Sequence, residues 1–139
     1  MNSFCKSKIN FTANSPFVII FKYPPVSSHL HLCIVNSTLW FDGQAKTAAE
    51  FYCSIFRDLE ISSENPTVVT QELNGNQFMG LNGGPGFNFN KAVSFVIECE
   101  TQEDIDHYRN KLISSGGAES QCGWCKDQFG VSRQGVPKL

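Results

Sequence analysis

Two stretches decide how this chain is read. The first is Thr38-Leu39-Trp40-Phe41-Asp42-Gly43-Gln44-Ala45, and the second, 56 residues further on, is Ser94-Phe95-Val96-Ile97-Glu98-Cys99-Glu100-Thr101. In the first, a short apolar strand stops at Asp42-Gly43. Behind it Ala45, Ala48, Ala49, Tyr52, Ile55, Phe56 and Leu59 recur at spacings of three and four, which places them on one helix face. In the second, Ala92 to Cys99 is a nearly continuous apolar run suited to a buried strand. Thr101 followed by Asp104 resembles a capping box, Ile105, Tyr108 and Leu112 form one stripe, and Gly116-Gly117 ends the helix.

Between and after these stretches the pattern continues in parallel. Leu59 to Ser62 reads as a strand and Glu64-Asn65-Pro66 as a turn. Thr67 to Leu73 is rich in β-branched residues, and Asn74-Gly75 predicts a hairpin into Gln77–Leu81. Short strands are expected around Glu119–Cys122, Lys126–Phe129 and Gly130–Val136. Each half therefore reads as strand, helix, then about three strands. An offset of 56 sets Leu39 against Phe95, Phe41 against Ile97, Tyr52 against Tyr108 and Phe56 against Leu112. Near the ends an offset of 55 sets Phe78-Met79-Gly80-Leu81 against Arg133-Gln134-Gly135-Val136. The expectation is an α+β fold of two βαβββ units with mixed sheets around a cleft.

Composition fits one domain. The 139 residues are 41% hydrophobic and 17% charged, which excludes wholesale disorder. The longest apolar run, Phe17 to Phe21, is far short of the ~20 residues that cross a bilayer, and it is too short and too close to Pro24-Pro25 for an export signal. The net charge of −2 argues against a nucleic-acid or anionic-membrane partner. That charge hides a division: residues 1–36 carry Lys6, Lys8 and Lys22 and no acid, whereas 37–139 carry a net −5. Residues 1–36 are accordingly set apart as an N-terminal extension from a domain spanning 37–139. Six cysteines in a chain this long make a poor disulfide framework, so reduced thiols and a cytoplasmic location are expected.

A repeated βαβββ unit resembles the vicinal oxygen chelate superfamily of glyoxalases, extradiol dioxygenases, and bleomycin and fosfomycin resistance proteins. The words Leu39-Trp40-Phe41-Asp42-Gly43-Gln44-Ala45, Glu50-Phe51-Tyr52, Leu73-Asn74-Gly75, Phe78-Met79-Gly80-Leu81-Asn82-Gly83-Gly84-Pro85, and Cys122-Gly123-Trp124 through Ser132 are similar to its PhnB-like branch, labelled 3-demethylubiquinone-9 3-methyltransferase-like. They cover essentially all of 37–137. Against that branch, residues 1–36 have no counterpart, the stretch between Ile61 and Thr67 is short, the C-terminus is short, and Arg133 stands where tryptophan is usual. Each departure is expected to open the pocket or weaken the fold.

The resemblance implies where a site would lie. Metal-dependent members take His, Glu or Gln ligands from the first and fourth strands of each unit, leaving an open position for two substrate oxygens. The corresponding residues here are Thr38 (Ser37 if the register slips by one), Met79, Ser94 and Gln134, which do not make a divalent-metal site. No metal and no cofactor is therefore expected, and Gln134 is read either as a ligand contact or as a satisfied interior amide. Trp124 and Phe129 are candidate walls of an apolar pocket or plain core. The expected function is metal-independent binding of a small, partly apolar molecule, with the cup completed by homodimerisation. The alternatives are a metal-dependent lyase or dioxygenase, or a member without a ligand.

Three further motifs have a functional and a bland reading. Cys122-Gly123-Trp124-Cys125 is a CxxC, but a redox pair needs a helix N-terminus after it, and structural zinc needs a second pair, for which only His29, His31 and Cys33 offer themselves. Asn82-Gly83-Gly84-Pro85-Gly86 leads into a strand rather than a helix, so it reads as the link between units and not as a nucleotide or methyl-donor loop. His107 is a candidate general base, or a solvated helix histidine.

Overall fold

The computed structural model describes residues 34–139, so the early lysines, Cys5, the Phe17–Phe21 run, His29, His31 and Cys33 lie outside the described residues. β1 (Ser37–Phe41), α1 (Ala45–Ile55), β2 (Leu59–Glu64), β3 (Val68–Leu73) and β4 (Asn76–Asn82) form the first unit. β5 (Ser94–Cys99), α2 (Gln102–Ile113), β6 (Ala118–Glu119), β7 (Trp124–Lys126) and β8 (Ser132–Pro137) form the second. The sheets have orders β1-β4-β3-β2 and β5-β8-β7-β6, each with one parallel pair at an edge and antiparallel pairs elsewhere. This is the repeated βαβββ architecture that the two stretches predict.

The local chemistry explains most boundaries. Ala45, Ala48, Ala49, Tyr52 and Ile55 are the buried residues of α1, which is the predicted face. Thr101 accepts the Asp104 backbone N–H at 3.1 Å while its hydroxyl donates to the Asp104 carboxylate at 2.9 Å, closing the start of α2. Asn74 and Gly75 both have positive φ, 51° and 77°, the type I′ geometry that matches strand twist. The short stretch after Ile61 does not break the sheet. β2 carries a bulge between Ile61 and Ser63, and the Asn65 side chain accepts the backbone N–H groups of Thr67 and Val68, each at 2.9 Å, to close a tight turn.

Two strand expectations change. Lys126 ends β7 and residues 127–130 form a turn, because the Asp127 carboxylate accepts the backbone N–H groups of Phe129 and Val131, both at 3.0 Å. Of the expected Glu119–Cys122 strand only Glu119 is strand, in β6. Residues 121–124 make a turn in which Cys122 and Gly123 have φ of 56° and 77°. The repeat is also offset internally. Leu39 pairs with Gly80 in the first unit, but Ile97, not Phe95, pairs with Gly135 in the second. The slip is two residues, and an even slip leaves every side chain on its original sheet face.

That alternation fixes which face does what. Phe41, Val69, Gly80 and Gln71 lie toward α1, with Gly80 against Ala45 and Gln71 donating to the Ala49 carbonyl at 2.9 Å. Ile97, Cys125 and Gly135 lie toward α2, with Gly135 against Ile105. These helix-bearing faces meet one another. Phe78 and Phe95 contact edge to face at 5.8 Å, Phe41 and Phe129 at 6.1 Å, and Phe56, just after α1, stacks on Tyr108 of α2 at 5.4 Å.

A side chain distant in sequence starts α1. Gln44 offers no side-chain cap, and Asn82 at the end of β4 supplies it instead. Its Oδ1 accepts the Ala45 N–H at 2.9 Å while its Nδ2 donates to the Pro66 carbonyl at 3.0 Å. Replacing Asn82 by Ala should therefore cost about 1–2 kcal/mol, the size of a lost helix cap. A urea midpoint indistinguishable from that of the unmodified chain would show that the cap contributes nothing.

Candidate functional site

The junction of the two units is built on charge. Asp127 follows β7, and its side chain is fully buried. Its Oδ2 accepts the Tyr52 hydroxyl at 2.7 Å and lies 3.5 Å from an Arg133 guanidinium nitrogen, while Oδ1 holds the two backbone N–H groups of the turn. The Arg133 guanidinium is flanked by two rings, 4.6 Å from the centre of Tyr52 and 4.9 Å from that of Phe95. Burial holds the Tyr52 phenol well above its ordinary pKa of 10.0, with Arg133 opposing and Asp127 reinforcing the shift. Phe129 packs edge to face on Phe41, Phe51 and Tyr52 in this core. Of the two readings of Phe129, pocket wall or core, its packing here is that of core, since the Asp127 turn directs it inward.

The other candidate residues lie on the faces turned away from the helices. On the first sheet Thr38 sits directly opposite Met79, with Thr70 on the far side of Met79 and Trp40 one step along β1. On the second sheet Gln134 sits between Val96 and Trp124, its pairing partners on β5 and β7. Gln134 Nε2 donates to Ser94 Oγ at 2.6 Å. Because the helix-bearing faces are packed against each other, these two open faces look away from each other within one chain. The chain thus brings Thr38 together with Met79, and Ser94 with Gln134 and Trp124, as two separate walls. A separate cavity of about 180 Å3 lies beside the linker, lined by Leu39, Phe89, Val93, Phe95, Val131 and Ser132 among others, and contains none of the wall residues except through the neighbouring backbone strands.

The donor chemistry does not suit a metal. Thr38, Met79 and Ser94 with one amide, Gln134, provide neither carboxylate nor imidazole, and among the described residues no group of three His, Cys, Asp or Glu is placed to hold a metal ion. The CxxC does not form an activated thiol. Cys122 is exposed in a tight turn, Cys125 is buried, and burial pushes the Cys125 thiol above its usual value. The glycine-rich loop is filled by its own protein: the Trp40 indole donates to the Gly84 carbonyl at 2.8 Å, and a Cβ at Gly83 would collide with the Trp40 ring. His107 is exposed on α2, against Tyr108. The roles of Asn82 and Asp127 were missed from sequence; their only signal is a polar residue at a strand end whose partner lies 37 or 75 residues away.

Two βαβββ units, each with a helix on one sheet face and the other face open, define a protein of the glyoxalase/bleomycin-resistance fold. The family model described as 3-demethylubiquinone-9 3-methyltransferase matches residues 34–136, and the chain belongs to that family. The PhnB protein from Bacillus cereus superposes with a TM-score of 0.66 at 31% identity, covering 75% of this chain and 98% of that one. A gene product from Arabidopsis thaliana (TM-score 0.60, 18% identity, 76% and 98% covered) and a glyoxalase/bleomycin resistance protein from Albidiferax ferrireducens T118 (0.58, 13%, 76% and 98%) share the fold. No curated protein matches the chain. Among the described residues no helix is long and apolar enough to cross a membrane.

The buried pair should respond asymmetrically to mutation. Asp127→Ala leaves Arg133 buried without a counter-charge and strips the turn of its acceptor, costing about 3–5 kcal/mol. Arg133→Met also removes the counter-charge, but it leaves Asp127 with the Tyr52 hydroxyl and two backbone donors, and should cost no more than the low end of that range, about 3 kcal/mol. Equal losses in denaturant unfolding would contradict this account.

The raised Tyr52 value has a sign as well. Above pH 10 the unfolded phenol ionises while the folded one keeps its proton, so folding stability falls as pH rises through that range. The raised Cys99 and Cys125 thiols, both shifted by burial, add the same trend from pH 9. In Tyr52→Phe the decline beginning near pH 10 should flatten, which unfolding midpoints measured from pH 8 to 11 would reveal. An unchanged slope would remove Tyr52 from the explanation.

Proposed function

We propose that this chain binds a small, partly apolar molecule without a metal, in a cup made by the first sheet of one copy and the second sheet of another. The observation that carries the reading is the placement of neutral side chains on the two open faces: Thr38 and Met79 on one, Ser94, Gln134 and Trp124 on the other. Apolar and indole surface with a few fixed polar groups is what small-molecule pockets use. Since the two faces look apart in one chain, a homodimer with reciprocal pairing completes both cups. Four free thiols among the described residues suit a reducing, cytoplasmic setting. A metal-dependent lyase or dioxygenase reading is disfavoured by the donor set. Methyl transfer, which the family description names, is disfavoured by the Trp40-filled glycine loop.

Complementation tests the shared cup. With the neutral apolar dye Nile red as probe, Trp124→Ala and Met79→Glu should each weaken binding at least tenfold (~1.4 kcal/mol) with dimerisation intact. Mixing the two variants by reversible unfolding should restore roughly a quarter of the sites, because half of randomly assorted dimers are mixed and each has one intact cup. No restoration, or stoichiometric retention of zinc, nickel, manganese or iron after dialysis, would overturn the reading.

A further inference from the structure

The second open face carries a more specific signal than apolarity. Gln134 is the centre of its row, with Val96 on one side and the Trp124 indole on the other. Val96, on the edge strand β5, is apolar yet 53% exposed. The charged residues of this face stand off the centre. Lys126 is in the row of Ser132 and Glu98 in the row of Val136, toward opposite ends of the strands.

The Gln134–Ser94 contact sets the hydrogen-bonding character of that centre. With Nε2 donating one N–H to Ser94 Oγ, the Gln134 carbonyl oxygen remains an acceptor, and the second amide N–H and the serine hydroxyl proton remain donors. Among the described residues none of these has another partner. Exchanging the two ends of the amide keeps both kinds of group: the serine would then donate to Gln134, leaving both amide N–H groups as donors and the serine oxygen as acceptor. Either way the pair presents donors beside an acceptor and no charge. An amide edge, with its carbonyl and N–H side by side, uses both kinds of group, while a carboxylate has only acceptors and an amidinium only donors.

We infer that this face recognises the amide edge of a planar, uncharged molecule, with Gln134 and Ser94 on the amide and the ring plane against Trp124 and Val96. The inference rests on the cup described above and names the chemical class of its occupant. A charged analogue of the same shape would leave a donor or an acceptor of the pair facing its own kind, and it would lose hydration with no counter-charge at the centre of the face.

The test uses the full chain, isotopically labelled, with 2-naphthamide, 2-naphthoate and 2-naphthamidine as probes of one shape and three charges. The amide should shift the Gln134 side-chain and Trp124 indole signals, displace Nile red, and bind at least tenfold more tightly than either charged analogue. Gln134→Leu should abolish the preference while retaining the dye, whereas Trp124→Ala should weaken all three probes. Equal binding of amide and carboxylate, or a preference that survives Gln134→Leu, would overturn the inference while leaving the shared cup standing if complementation holds. Unmoved Gln134 and Trp124 signals with every probe would mean that a second copy, not a ligand, covers the face, and would also overturn it. Loss of complementation with the amide preference intact would instead overturn the two-chain cup and keep the amide-binding wall.

Discussion

The Asp127 carboxylate is closed to water, and its two oxygens are shared between the halves of the repeat. One binds the Tyr52 hydroxyl of α1 and approaches Arg133 of β8; the other holds the backbone of the turn between β7 and β8. A buried anion is tolerated only with this many donors, and each of them is positioned by a different element. The turn sets the start of β8, Arg133 fixes its register against β5, and Tyr52 ties α1 of the first unit to the second sheet. Phe129, Phe41 and Phe51 close around the same point. The orientation of the two open faces is therefore a consequence of an interior ion pair, not of anything on those faces.

This arrangement also accounts for Arg133 at a position where an aromatic residue is expected from resemblance. The guanidinium occupies a slot between the Tyr52 and Phe95 rings, where its flat face packs as a ring would, and its charge is met by Asp127 at 3.5 Å. One guanidinium nitrogen, Nε, is buried without a hydrogen-bond partner. The site thus favours packing and charge pairing over complete hydrogen bonding, which makes loss of the counter-ion more damaging than loss of the arginine.

Much of the fold was legible because it rests on short-range periodicity. The apolar spacing of α1, the Thr101 cap and the Asn74-Gly75 turn are local events, and local events are written locally. The second half was less readable where its strands shrink to two and three residues, too few for alternation to register. The Lys126–Phe129 expectation failed because a carboxylate captured the backbone there, a competition between side chain and strand that hydrophobicity does not encode. Of the candidate site, Thr38 against Met79 was recoverable by resemblance. The two-residue slip between units was not, so the partner of Gln134 on the ladder is Val96 while Ser94 reaches it diagonally. Phe129 was indistinguishable from Trp124 by residue type, and only the turn decides which ring faces outward.

The distribution of charge connects these points. A buried cation and anion, Arg133 and Asp127, lie inside, while Thr38, Met79, Ser94 and Gln134 on the open faces, the proposed walls, are neutral. A neutral wall cannot gain much from a charged occupant, because desolvating an ion without a counter-charge costs more than a single hydrogen bond returns. It can gain from apolar area and from a correctly oriented donor and acceptor. In the proposed cup, selectivity would reside on the second sheet, where Gln134 and Ser94 supply orientation. The first sheet, with Met79 between Thr38 and Thr70, supplies adaptable apolar contact. The two walls are thus chemically unequal, and the proposed cup that joins one of each would have a polar, orienting side and a yielding side, a division of labour suited to holding a planar ligand in one pose.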